Sequence, residues 1–123
     1  MRMARPPHPA SGWTGVKFSD LEHAALRLND LYEQLESKRW GRVWTTQELA
    51  LGFMGDVGDL AKLIQADAGV RTIEDHQAKL GHELSDCLWS IMVLARKCGV
   101  DLEAEFLRNT REISEHVSRE LAK

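Results

Sequence analysis

The sequence predicts an all-α protein, a bundle of four helices. Apolar residues recur at helical spacing through nearly all of the chain after residue 17. Helix-start signals stand ahead of the periodic stretches. No stretch alternates apolar with polar residues or is enriched in β-branched ones, so no sheet is expected. The expected organisation is a flexible tail over residues 1–17 and one helical domain over residues 18–123.

The first helix opens with Ser19 and Glu22 as a capping box. Leu21, Ala24, Ala25, Leu28, Leu31, Tyr32 and Leu35 give it one apolar face, and it is expected to end around Ser37. A connector, KRWGRVWT, follows, with two tryptophans and three basic residues. Thr45 and Glu48 form a second capping box, opening a helix over 46–67 that Gly69 breaks. Thr72 with Asp75 caps a third helix reaching Lys97, and Gly99 terminates it. Asp101 caps the fourth, Leu102 to about Leu121. Short loops between the helices imply a bundle.

Composition narrows the class. A chain of 123 residues, 43% hydrophobic and 28% charged, suits a single core. A net charge of -3 gives no basic stripe for neutralising phosphates, so nucleic acid is not an expected partner. No apolar run reaches the roughly 18 residues that a membrane span requires. The opening MRMARPPHPASGWTG carries prolines where a signal peptide needs its apolar segment. Cys87 and Cys98 would lie roughly 16 Å apart on one helix, too far for a disulfide. Reduced thiols and the absence of a signal peptide place the expected location in the cytoplasm.

The second helix poses a question. Its centre, LGFMGDVGDLAKLI, holds Gly52, Gly55 and Gly58, each costing roughly 1 kcal/mol against Ala in a helix interior, together with Asp56 and Asp59. The two aspartates fall on one side, with Phe53, Val57, Leu60 and Ile64 on the neighbouring, core-facing arc. The third helix repeats the device. Glu83 and Asp86 stand together at the edge of a stripe that runs from Leu80 through Leu84, Cys87, Leu88, Ile91, Leu94 and Ala95 to Cys98. Two such pairs on consecutive helices can face each other across a groove, where four carboxylates would repel without a divalent cation. All-oxygen ligands suit a hard ion, Mg²⁺ or Mn²⁺, which keeps positions open for water and phosphates. Glycines beside the acids would let a metal–phosphate group approach the helix backbone.

The stretches LALGFMGDVGDLAKL, HELSDCLWSIMVLA and CGVDLEAEF resemble the MazG-like, all-α nucleotide pyrophosphohydrolase superfamily, over about Tyr32 to Phe106. That family places Glu-x-x-Glu on one helix and Glu-x-x-Asp on the next. Here the second half is Glu83-x-x-Asp86 and the first is shortened to Asp56-x-x-Asp59. The Lys and Asn often found after the acids correspond to Asn109 and Ile113, and an aromatic often found beyond the first pair corresponds to Ala66. The resemblance implies a four-helix bundle of the MazG-like type, completed as a homodimer or homotetramer. It also implies Mg²⁺-dependent hydrolysis of a nucleoside triphosphate to monophosphate and pyrophosphate, a nucleotide-pool-cleansing chemistry. Asp56, Asp59, Glu83 and Asp86 would hold the metal, and Glu83 or Asp86 would act on the attacking water. The alternative is a MazG-fold protein with little or no activity that binds nucleotides or a protein partner.

Trp40 is the expected base-stacking aromatic, with Trp44 the better candidate for plugging the bundle end. Lys38, Arg39 and Arg42 are expected to meet phosphates, and Lys62 and Lys79, nearer the acids, to pair with those acids or with the substrate. The five histidines carry no Glu-x-x-His and no paired-His zinc motif, and are expected at the surface.

Overall fold

The structure, a computed structural model, describes residues 15–123. The first fourteen residues of the expected tail lie outside the described residues. Among the described residues there are four helices and no strand: α1 (Phe18–Trp40), α2 (Thr46–Asp67), α3 (His76–Lys97) and α4 (Leu102–Leu121). None is long and apolar enough to cross a membrane.

Two of the expected helix starts hold. In α2 the Glu48 N–H donates to Thr45 Oγ1 and the Thr45 N–H donates to Glu48 Oε1, both at 3.1 Å. In α4 the Ala104 N–H donates to Asp101 Oδ1 at 3.1 Å. The other two are displaced. α1 starts at Phe18, and the Lys17 N–H donates to the Asp20 carboxylate at 2.8 Å, so Ser19 lies inside the first turn and Glu22 just beyond it. α3 starts at His76, after Asp75 turns the chain in a left-handed conformation at φ 54°, which leaves Thr72 outside the helix.

The end of α1 also differs from expectation. The helix continues past Ser37 to Trp40, because the first residue able to take the left-handed cap cheaply is Gly41, at φ 72°. The Gly41 N–H donates to the Ser37 carbonyl at 2.9 Å. Lys38 and Arg39 thus lie in the last turn, where cations offset the exposed carbonyl dipoles. Gly69 and Gly99 end α2 and α3 as the sequence predicts, at φ 79° and 71°.

The helices pack unequally. α2 and α3 form the closest pair, α1 lies on α3, and α4 touches the others only marginally. The core is small: Ala25, Met92 and Val93, with Phe18, Leu49, Trp89 and Leu102 packed around them. Leu63, Ala66 and Cys87 are buried as well.

The expected apolar faces are turned outward to a surprising degree. On α1 the buried residues are Ala25, Asn29 and Glu36, whereas Leu21, Leu28, Leu31 and Leu35 are exposed. Two polar ties fix that rotation: the Trp89 indole donates to the Ala25 carbonyl at 3.0 Å, and Lys97 pairs with Glu33 at 2.9 Å. On α2, Leu63 and Ala66 are buried, Phe53 and Leu60 half-buried, and Val57 and Ile64 exposed. On α3, Cys87, Ser90, Met92 and Val93 are buried, whereas Leu84, Leu88 and Ile91 are exposed. The stripes are real, but the chain itself covers only their edges.

Candidate metal centre and adjoining grooves

Helical spacing sets Asp56 and Asp59 on the side of α2 nearest α3, and α3 offers Glu83 in return. One carboxylate oxygen from each of Asp56, Asp59 and Glu83 lies within 4.8 Å of the other two. Asp56 and Glu83 are half-buried and Asp59 is exposed. Burial pushes the Asp56 carboxyl above its ordinary range, and the charges of Asp86 and Asp59 push it further. Burial likewise raises Glu83, with Asp56, Asp86 and Asp59 adding to it. The Glu83 Oε2 atom is buried and has no hydrogen-bond partner. An unpaired buried acceptor is costly, and three converging carboxylates raise that cost.

Such a set fits a hard divalent cation. Oxygen-only donors suit Mg²⁺ or Mn²⁺ over zinc, and the unpartnered Glu83 oxygen would be available as a ligand atom. Asp86, the fourth expected ligand, does not join the three-way set. Its Oδ2 stands 3.1 Å from His82 Nε2, one helical turn earlier, while its charge still raises Asp56. Cys87 lies buried beside the acids. Burial first, and then the charge of Asp56, lifts its thiol, so it is not a thiolate ligand.

The glycines of α2 stand in open space. A Cβ built on Gly52, Gly55 or Gly58 would meet nothing within 4 Å. No packing contact within the chain requires them, and the helix surface beside Asp56 and Asp59 is left clear.

Two grooves adjoin the acids. The first, about 400 Å³, runs past Asp59 and Glu83 and is flanked by Lys62, Lys79 and His82. The second, about 340 Å³, lies among α1, α2 and α3, with Asp56 and Asp86 among its lining. Tyr32, Trp44 and Trp89 line it too, the Tyr32 and Trp89 rings meeting edge to face at 5.6 Å. Asn29 and Glu36, both buried, supply polar groups there. The Glu36 carboxylate accepts the Trp44 backbone N–H at 2.8 Å, tying the connector to α1.

The remaining expected binding residues are distributed differently. Lys62 is in the first groove. Trp40 is 61% exposed and meets Trp44 edge to face at 6.2 Å in a separate hollow that Arg42 shares. Arg42 is committed: its two terminal nitrogens donate to Glu48 at 2.7 and 2.8 Å, and its guanidinium lies 5.5 Å over the Trp44 ring. That pairing, with the Thr45 backbone bond, holds the Glu48 carboxyl down at about 2. Arg39 is exposed and lines neither groove. Sequence reasoning missed Asn29, Glu36 and Trp89 as groove residues and took Tyr32 only as part of an apolar face. The signal was present: Asn29 and Glu36 are seven residues apart, two turns along one face of α1.

No protein family, no curated protein and no solved structure matches this chain.

Proposed function

We propose that the protein is a Mg²⁺-dependent nucleoside triphosphate pyrophosphohydrolase of the MazG-like type. The observation that carries the reading is the convergence of Asp56, Asp59 and Glu83 around an unpartnered Glu83 oxygen, with Asp56 also lining an aromatic-walled groove. Asp56, Asp59 and Glu83 would hold the metal, which when bound supplies charge neutralisation at the phosphates and acidifies a water. The open glycine side of α2 admits the phosphate chain. Lys62 and Lys79 offset its remaining charge from the first groove. Tyr32, Trp44 and Trp89 receive the base.

Asp86 stands outside the three-way set and takes the proton of the attacking water, with His82 behind it. Water oxygen bonds to phosphorus, the anhydride bond breaks, and nucleoside monophosphate and pyrophosphate leave. The working form is a homodimer or homotetramer.

The test is pyrophosphate release from a panel of common and damaged nucleoside triphosphates with Mg²⁺, using wild type and Asp86→Asn. Wild type is expected to release pyrophosphate from at least one of them and Asp86→Asn to be slowed 10²-fold or more. The placement of Asp86 on His82 favours one competing reading, a protein that binds nucleotide and does not hydrolyse it. Nucleotide binding with no pyrophosphate release would establish that reading and end the catalytic one.

A further inference from the structure

Glu36 carries an oxygen that the fold does not use. The residue is 6% exposed, with Asn29 at 7%, and both line the groove of Tyr32, Trp44 and Trp89. Its Oε1 is occupied, accepting the Trp44 N–H at 2.8 Å. Its Oε2 has no hydrogen-bond partner among the described residues, and it is not enclosed as Glu83 Oε2 is. Because Glu36 lines the groove, that free oxygen opens there. Beside aromatic rings, where the local dielectric is low, it gains from any donor that reaches it. Asn29 adds a second acceptor. Its amide nitrogen is spent on Glu33 Oε1 at 3.2 Å, so its carbonyl oxygen is what it can offer the groove.

The place of the free oxygen along the groove sets what it can meet. Glu36 holds Trp44, two residues before α2 begins, and so stands at the Leu49 end. Asp56 lines the same groove seven residues further along α2, roughly 10 Å away. A nucleotide with its phosphates at the Asp56 end points the far edge of its base toward Glu36, with the aromatic rings along its flank. Stacking on those rings accepts any base, so discrimination falls to the polar group at the end.

We propose that Glu36 determines base specificity, selecting nucleotides whose base carries an amino group opposite the glycosidic bond, a 4-aminopyrimidine or a 6-aminopurine, over their keto counterparts. The proposal rests on the nucleotide reading above and adds what that reading leaves open, the class of base. An exocyclic amine donates to Glu36 Oε2 and satisfies it. A keto oxygen in the same place sets lone pairs against the carboxylate, and neither is hydrogen-bonded. Cytosine and adenine present the amine there, whereas uracil, thymine, guanine and hypoxanthine present the oxygen.

The experiment uses pairs that differ at that group alone, CTP with UTP and ATP with ITP, on wild type and Glu36→Gln. Pyrophosphate release with Mg²⁺ gives kcat/KM for each. Isothermal titration with CMP, UMP, AMP and IMP in EDTA reads base recognition without metal or hydrolysis. Wild type is expected to favour the amino member of at least one pair by about 10–100-fold, the size of one hydrogen bond to a charged group. Glu36→Gln keeps a carbonyl for the Trp44 N–H and turns an amide donor to the groove, so the amino-to-keto ratio is expected to fall by about 10-fold or more. Loss of folded protein lowers both members of a pair together and does not move that ratio. The wild-type ratio is a test by itself even where the variant fails to fold. Equal release from both members of each pair by wild type, or an unchanged ratio in folded Glu36→Gln, overturns the role of Glu36 and leaves the hydrolase reading standing. Amino-selective monophosphate binding with no pyrophosphate release overturns the hydrolase reading and upholds the base site. Neither binding nor release ends both.

Discussion

Glu83→Gln isolates the acid cluster from the fold. Glu83 meets Asp56 and Asp59 with carboxylate oxygens within 4.8 Å. At that separation one pair of charges repels by about 1 kcal/mol in water and about 3.5 kcal/mol at an effective dielectric constant of 20. Asp59 is exposed and Asp56 half-buried, so the lower part of that range applies, and screening reduces it further. The substitution removes one charge and gives the buried Oε2 position an amide that can donate to a neighbouring carboxylate. Metal-free Glu83→Gln is therefore expected to be more stable than wild type by about 1–2 kcal/mol at pH 7, a rise in melting temperature of roughly 4–8 °C.

Metal closes that gap. With 10 mM Mg²⁺ and a dissociation constant near 1 mM, wild type should gain about 1.4 kcal/mol, and the variant little. Differential scanning calorimetry with and without Mg²⁺ reads both effects. A variant less stable than wild type without metal would show that Glu83 is a structural anchor and not a strained ligand. Equal Mg²⁺ responses would refute the metal site.

Acid should act on the same cluster with a definite sign. Asp56 and Glu83 are raised in the fold, so their contribution favours folding at low pH and is lost as pH rises through their folded values. Metal-free wild type is expected to gain stability as pH falls from neutral toward the ordinary carboxylate range, and Glu83→Gln to show a flatter profile over that descent. Glu48 behaves oppositely: held at about 2 against an ordinary 4.5, it stabilises above 4.5 and its contribution fades as pH falls toward 2. The melting difference between wild type and Glu48→Gln should accordingly shrink across that interval. Gly55→Ala should raise metal-free stability by about 1 kcal/mol, since its Cβ meets nothing within 4 Å, while slowing nucleotide hydrolysis. A destabilised Gly55→Ala with unchanged metal binding would assign the glycine to packing. Val93→Ala, at the most buried side chain of the core, should cost about 2 kcal/mol by thermal melting and leave Mg²⁺ affinity unchanged.

Local chemistry was legible in the sequence. Thr45 with Glu48, Asp101, Gly69 and Gly99 mark helix ends through bonds made within a few residues, and these ends stand where the sequence places them. Asp56 and Asp59 share a side of α2 because helical geometry leaves them no alternative. Their meeting with Glu83 also followed once two acid-bearing helices were joined by a short connection.

Rotation of the helices was a different matter. A periodic stripe tells which residues seek burial, but not whether the covering surface lies within the same chain. On α1 the Trp89 and Lys97 contacts turn Ala25, Asn29 and Glu36 inward, and the leucine face the sequence marked as core lies outside. Asp86 shows the same limit at the site. Its spacing from Glu83 fits a ligand pair, yet His82 stands within 3.1 Å and the three-way set closes without it. The groove of Tyr32, Trp44 and Trp89 draws on α1, α3 and the connector, so only their packing could assemble it. Sequence fixes bonds and faces within a turn or two of helix; which faces meet depends on free energies summed over distant residues, and the tertiary structure alone settled that.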